Sequence, residues 1–156
     1  MSNESVALNG KVHIKAWEKQ PDGTEKVVKD DTFKNLMVTV GKDAILQYLG
    51  NKITSLGYAK SIGVGDSTTA AAVSQTDLQA SSNKLWIDIL TANRIFATPT
   101  LFLSVDFGYS QANFTWNELG LRDAQSSPVL WARQIDSSPL VKTSSKRAIV
   151  EWQLTI

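Results

Sequence analysis

The stretch SIGVGDSTTAAAVSQTDL, residues 61–78, is the most informative part of this chain, because it either cradles a ligand or joins two strands. A phosphate-binding loop runs from its glycines through Lys and Ser or Thr straight into a helix, where backbone amides and the ammonium group converge. Here Gly63 and Gly65 are followed by Asp66, and no lysine occurs before Lys84. The Asp66 carboxylate would repel a phosphate at that position. We therefore expect the two glycines to relieve backbone strain in a strand-ending turn, and we predict no nucleotide or other cofactor.

Length and composition favour one globular domain over residues 1–156. The 42% of hydrophobic residues can bury a substantial core. With 16 Lys and Arg residues against 15 Asp and Glu residues, no net charge draws the chain to nucleic acid or to an anionic membrane. We therefore expect partners to be recognised by shape, with neither nucleic acid nor membrane among them.

Cysteine content and hydropathy bear on where the protein is made. The chain has no cysteine, which excludes disulfides and thiolate metal sites and fits a protein matured in a reducing cytoplasm. The first ten residues lack a basic region followed by a long apolar run, and no segment approaches the roughly 20 apolar residues of a membrane-spanning helix. We expect a soluble protein that carries no secretory signal.

Alternating apolar residues mark the first strand. Val12, Ile14 and Ala16 alternate with polar residues, which is the period of a half-buried strand. A turn signal, QPDGT, follows at residues 20–24, and a second strand-like run covers residues 26–33. The two runs predict an N-terminal β-hairpin.

One helix is predicted, at about residues 41–49. Gly50 can end it, because glycine readily takes the left-handed conformation found after helix ends. Four apolar residues fall on one face at helical spacing, namely Ala44, Ile45, Tyr48 and Leu49.

The remainder of the chain reads as short strands separated by turn signals. Strand patterns occur at residues 58–64, 85–89, 94–96, 101–107, 114–122, 129–135 and 147–156. About eight strands with one helix, and no alternation of helix and strand, predict a mainly β fold. We expect an antiparallel β-sandwich or a jelly-roll-like partial barrel.

Candidate catalytic and metal-binding groups are scarce. His13, the only histidine, falls on the polar face of the first strand, where a solvated surface role is favoured over that of base or ligand. Asp106 and Glu118 could form a carboxylate pair, but 15 acidic residues produce such pairs by chance. We predict no enzymatic activity, no catalytic residue and no metal site.

The five tryptophans form the other candidate constellation. Trp152 shares the apolar face of the last predicted strand, so we expect it in the core. Trp17 and Trp86 fall opposite the clearer apolar series. This position fits either an outer face covered by a partner or a second buried layer, and both readings stay open.

Several short segments occur in a characteristic order. They are residues 35–41 (NLMVTVG), 62–68 (IGVGDST) with 76–78 (TDL), 117–121 (NELGL), 130–133 (LWAR), and Lys142 with 150–154 (VEWQL). In this order they resemble a group of small structural proteins of tailed bacteriophages, over residues 10–156. The chain departs from the group at Asp66, where a smaller or neutral residue is more common, and this alters the charge of the loop rather than the fold.

The resemblance implies a virion protein that is made in the cytoplasm of the host bacterium. No internal repeat or low-complexity stalk indicates a fibre shaft, so we expect a compact accessory subunit, either a capsid decoration protein or an adaptor of the tail, baseplate or fibre base. Its partners would be other virion proteins and copies of itself, with a trimer as one arrangement. The residues expected to face a partner are Trp17, Trp86, Asp66, Ser67, Thr68 and Thr69.

The alternative is a carbohydrate- or receptor-binding tip module of a tail fibre, because β-sandwiches with exposed Trp and polar loops also bind glycans.

Overall fold

A computed structural model describes residues 8–50, 57–124 and 127–155 of the chain. It is mainly β, with 57% of residues in strands, and contains two antiparallel sheets. The described strands do not close into a barrel. The predicted fold class is therefore confirmed, with the sandwich favoured over the partial barrel.

Ten strands, one α-helix and one 3₁₀ turn make up the described residues. They are β1 (Asn9–Lys19), β2 (Glu25–Lys34), β3 (Leu36–Met37), α1 (Thr39–Leu49), β4 (Ala59–Gly65), β5 (Lys84–Asp88), a 3₁₀ turn (Thr91–Asn93), β6 (Arg94–Ala97), β7 (Thr100–Phe107), β8 (Thr115–Asp123), β9 (Leu130–Val141) and β10 (Lys146–Thr155).

The first sheet has the strand order β2-β1-β10-β7-β6. The predicted hairpin forms its β1 and β2, and Gly23 in the turn has a φ of 86°, which glycine adopts without strain. The alternation along β1 is confirmed, because Val12 and Ile14 are fully buried opposite Trp152 and Val150 of β10. Trp152 is thus a core residue, as predicted.

The second sheet has the order β3-β9-β8-β4-β5 and packs its inner face on the first. Ile62 of β4 and Leu121 of β8 are opposite each other and fully buried. Phe107 of the first sheet meets Trp116 of the second edge to face, with ring centroids 4.9 Å apart. Such interdigitation of two inner faces is the core of a β-sandwich.

The helix begins two residues before its predicted start, at Thr39. It lies directly on the backbone of β9, because a Cβ atom on Gly41 would come within 2.5 Å of the Trp131 Cα. Ala44 is buried as expected, whereas the side chains of Tyr48 and Leu49 lie outside what the structure describes. The Gly50 amide still donates to the Leu46 carbonyl, 2.9 Å away, at the end of the helix.

A buried ion pair fastens the edge of the first sheet to the second. The Lys29 ammonium of β2 lies 3.1 Å from the Asp136 carboxylate of β9 and 2.7 Å from that of Asp31. The Lys29 side chain is 5% exposed and that of Asp136 is fully buried. Burial raises the pKa of Asp136, although hydrogen bonds from Ser138 and Lys29 oppose the rise.

Replacement of Lys29 by Met leaves the Asp136 charge buried without its main partner, so we expect the free energy of unfolding to fall by about 3–5 kcal/mol near neutral pH. A carboxyl whose pKa is raised by folding destabilises the folded state as pH rises through that pKa. The deficit of Lys29→Met relative to the wild type should therefore shrink as pH is lowered toward the pKa of Asp136. Urea unfolding at several pH values measures both effects.

Lys26→Met on the same strand is the matched control, because Lys26 is exposed and makes no ion pair among the described residues. It should change stability by no more than about 0.5 kcal/mol. Equal effects of the two substitutions would show that the ion pair does not fasten the sheets.

Candidate functional site

Both glycines of the 61–78 stretch lie inside strand β4 rather than in a turn. Gly63 is paired with Gly120 of β8 on one side and with Trp86 of β5 on the other. Neither glycine of β4 has a positive φ. The stretch does join two strands, as expected, and β4 ends at Gly65, but relief of backbone strain does not explain the two glycines.

The constraint at Gly63 is the indole ring of Trp86. A Cβ atom on Gly63 would lie 2.5 Å from Trp86 Cδ2, and one on Gly120 would lie 2.8 Å from Trp86 Cη2. On the ring, the Arg122 guanidinium sits 4.3 Å from the centroid as a cation–π partner. Trp86 thus packs within the chain, across neighbouring strands on the outer face of the second sheet, and only part of it remains exposed.

The constraint at Gly65 is a buried carboxylate. A Cβ atom there would collide with Glu118 Oε1. Glu118 and Arg133 are both fully buried and form an ion pair at 2.7 Å. Asp106, which could have paired with Glu118 as a catalytic acid, lies in the first sheet, where Arg147 is 3.4 Å from it.

The Glu118–Arg133 pair holds the connection between β4 and β5 against the sheet. We call this connection, residues 66–83, the strap. Glu118 accepts hydrogen bonds from the backbone amides of Gln79 and Ala80, at 2.9 and 2.7 Å. Arg133 donates to Gln75 Oε1 and to the Thr69 carbonyl, at 2.9 and 2.8 Å. These four bonds satisfy a charged pair that would otherwise be costly to bury.

The predicted interface residues of the strap sit at its beginning. The Asp66 carboxylate accepts from Asn83 Nδ2 at 2.8 Å, which ties the two ends of the strap together. The Thr69 amide donates to Ser67 Oγ at 3.1 Å, and Thr68 and Thr69 are exposed. Thr68 and Thr69 are therefore exposed on a part of the strap that hydrogen bonds hold in place. Their contact with a partner stays a prediction.

Trp17 lies on the outer face of the first sheet, away from Trp86. The Arg147 guanidinium is 4.5 Å from its ring centroid and donates to both carboxylate oxygens of Glu25, at 2.9 and 3.2 Å. The Tyr109 hydroxyl also donates a hydrogen bond to Glu25. Hydrogen bonds from Arg147 and then Tyr109 lower the pKa of Glu25, and the bond to Glu25 raises the pKa of Tyr109. Trp17 and Trp86 do not form one site.

His13 takes part in an ion-paired surface, in keeping with its predicted place on the polar face of β1. Its Nε2 lies 2.7 Å from the Asp30 carboxylate, and Lys15 lies 3.3 Å from the same group. The hydrogen bond with His13, followed by that with Lys15, lowers the pKa of Asp30. The predicted solvated role is incomplete, because the side chain of His13 is only 31% exposed.

Lys142 is a buried cation that composition and periodicity do not reveal. Its ammonium donates to the carbonyls of Gly108 and Gln111 and to Asn113 Oδ1, at 2.9 to 3.0 Å. Burial lowers its pKa. Since these oxygens come from the β7–β8 connection, Lys142 braces that loop.

Four exposed apolar residues lie in strand β6 or just outside the ends of β4 and β5. β5 is paired only with β4, β6 is paired only with β7 among the described strands, and the Thr91–Asn93 turn joins the two edges. We call Tyr58, Leu90, Ile95 and Phe96 the apolar edge. All four are more than half exposed. A sequence signal exists, because neighbouring strand residues face opposite sides and Ile95 and Phe96 cannot both face one core.

The described residues contain no group of three or more His, Cys, Asp or Glu side chains placed to hold a metal ion. Among their helices, none is long and apolar enough to cross a membrane. No protein-family model, curated protein or solved structure matches the chain.

Gly63→Ala should force the Trp86 ring from its place on β4, because the new methyl group would overlap the ring carbons. We expect a loss of about 1–3 kcal/mol in unfolding free energy, which is typical of overpacking. Gly108→Ala is the matched control, since a Cβ atom there would come within 4 Å of only Gln111 Oε1, at 3.5 Å, among the described residues beyond its chain neighbours. Urea unfolding measures both variants. A Gly63→Ala protein as stable as Gly108→Ala would contradict the packing role of Trp86.

Glu118→Gln should leave the Arg133 charge buried and unpaired, and should lower the unfolding free energy by about 3–5 kcal/mol. Hydrogen exchange at the Gln79 and Ala80 amides should rise most, because both donate to the carboxylate. The half-exposed pair Lys84–Asp77 is the control, and Lys84→Met should cost no more than about 1 kcal/mol. Exchange that stays slow in the strap would mean that other contacts hold it.

Proposed function

We propose that the protein is a non-enzymatic virion structural protein of a tailed bacteriophage, a compact accessory subunit that binds neighbouring virion proteins and copies of itself. The order of short segments from residue 35 to residue 154 supports this assignment. Its place is either the capsid, as a decoration protein, or the tail, baseplate or fibre base, as an adaptor.

The observation that carries the proposal is the apolar edge. Ile95 is 58% exposed and Phe96 is 69% exposed, on a strand whose outer backbone groups have no partner strand among the described residues. Natural sheet edges are normally blunted by charge, proline or coverage, because an open apolar edge pairs with other chains. A subunit that is meant to be covered in an assembly has a use for such an edge.

The charged residues support a structural role in a second way. The buried ions Glu118, Arg133, Lys29, Asp136 and Lys142 are all engaged in contacts within the fold. Each brings distant parts of the chain together. Many weak contacts repeated over a symmetric particle would then supply the binding free energy.

A second candidate is the glycan- or receptor-binding tip module, and Trp17 is the observation that favours it. Trp17 stacks with Arg147, and Arg147 pairs with Glu25, which also accepts from Tyr109; this combination of aromatic surface and hydrogen-bonding groups suits a sugar. Binding of the isolated protein to a glycan array, lost on Trp17→Ala, would support this candidate over assembly.

Leu90→Asp tests the apolar edge, with Leu46→Asp as its matched control. The two leucines are 68% and 65% exposed, but Leu46 lies on helix α1 and away from the edge. An aspartate at the edge would have to be desolvated on assembly, so we expect incorporation into phage particles to fall roughly tenfold or more. Leu46→Asp should assemble as the wild type does, and both proteins should keep the wild-type melting temperature. Equal incorporation of the two variants would exclude the edge as the contact.

Cryo-electron imaging of particles with and without the protein tests the assignment itself. Loss of regular density from the capsid, or from the tail or baseplate, would support a virion role and place the subunit. Identical particles with no protein-dependent density would overturn the proposal.

A further inference from the structure

A cavity of about 700 Å³ opens at the end of the sandwich where β1 begins and β2 ends. Leu36 and Met37 of β3 contribute apolar wall, and Thr100 and Thr155 lie on the β7–β10 side. Small-molecule sites in proteins have volumes of about 300–1,000 Å³ and combine apolar walls with a few polar groups. The cavity has the size and the mixed lining of such a site.

The charged residues that line this cavity are all positive. Lys11, Lys34 and Lys42 line it, and no Asp or Glu does. None of the three lysines forms an ion pair within the described part of the chain. Most other described lysines do have partners, namely Lys15, Lys29, Lys60, Lys84 and Lys146.

The strand register places two of these charges directly opposite each other. Lys15 of β1 is opposite Asp30 of β2, whereas Lys11 is opposite Lys34. The neighbour of Lys11 on its other side is Gln153 of β10, which is uncharged. Like charges that face each other across two strands destabilise a sheet. The ammonium groups of Lys11 and Lys34 therefore repel each other, and a bound anion would reduce this repulsion.

Glu151, which lies two residues from Gln153 on β10, is already engaged, and two hydroxyl groups stand in the cavity wall. Glu151 accepts a hydrogen bond from Gln153 Nε2 at 2.9 Å. Thr100 and Thr155 share a hydroxyl hydrogen bond of 2.8 Å in the wall. Asn35, also a lining residue, has its Oδ1 buried against Gly10, so this atom does not face the cavity.

We propose that this cavity binds a hydroxyl-bearing organic anion, of the class of a sugar phosphate or a sugar carboxylate. The ammonium groups of Lys11, Lys34 and Lys42 would hold the anionic group by charge-assisted hydrogen bonds. The hydroxyls of Thr100 and Thr155 would bind the hydroxyl groups of the ligand. The inference rests on the charge and shape of the cavity and is independent of the role in a virion.

Calorimetric titration of the whole protein tests the proposal with three probes, glucose 6-phosphate, glucuronate and uncharged glucose. The two anions should bind and glucose should not, and the tighter anion identifies a phosphate or a carboxylate ligand. Lys11→Gln with Lys34→Gln should weaken anion binding roughly tenfold for each lysine removed. Lys42→Gln should weaken it by a similar factor.

Lys19→Gln with Lys26→Gln is the matched control, because it removes the same charge from the opposite end of the same hairpin. It should bind the anions as the wild type does. Without ligand and at low salt, Lys11→Gln with Lys34→Gln should melt at or above the wild-type temperature, since the repulsion is gone. Equal weakening in both double variants, failure of the wild type to bind either anion, or a clearly lower melting temperature of the cavity variant would overturn the proposal.

Discussion

The buried ion pair between Glu118 and Arg133 is the interaction on which the outer side of the second sheet depends. Two opposite charges removed from water gain stability only when their remaining hydrogen-bonding capacity is used. Here the strap supplies the missing donors and acceptors, through Gln79, Ala80, Gln75 and Thr69. The pair thus requires the strap, and the strap is positioned by the pair. The absence of a side chain at Gly65 leaves the space in which this can happen.

The outer faces of the two sheets are covered to different extents. The second sheet is covered on its outer face by the strap and by helix α1, which lies on β9 through Gly41. The first sheet has an outer face of cross-strand polar pairs, such as His13 with Asp30, and is joined to the second by Lys29. Among the described residues, surfaces open to partners therefore include the first sheet's outer face, the apolar edge, the end that holds the lysine cavity, and the exposed Thr68 and Thr69 of the strap.

The strands and the helix could be predicted because their cause is local. The period of Val12, Ile14 and Ala16, or of Ala44 and Ile45, is visible in the sequence and is set by which face is buried. The role of Gly63 could not be predicted in this way, because the sequence does not show which side chain packs against a glycine. Trp86 comes from another strand. The role of Glu118 could not be predicted either, because its partner Arg133 comes from the neighbouring strand β9.

The apolar edge and the lysine cavity lie on different parts of the same sheet, and their energetic effects can be separated. Phe96 is on β6 and Lys11 is on β1, with β7 and β10 between them. Three strand spacings amount to about 14 Å, beyond the roughly 7–10 Å within which substitutions usually couple. Thr100 is the exception, because it pairs with Ala97 of β6 and also lines the cavity. A partner strand added to the open edge of β6 would lie one further strand spacing from Thr100, so assembly and anion binding can be altered independently through Phe96 and Lys11.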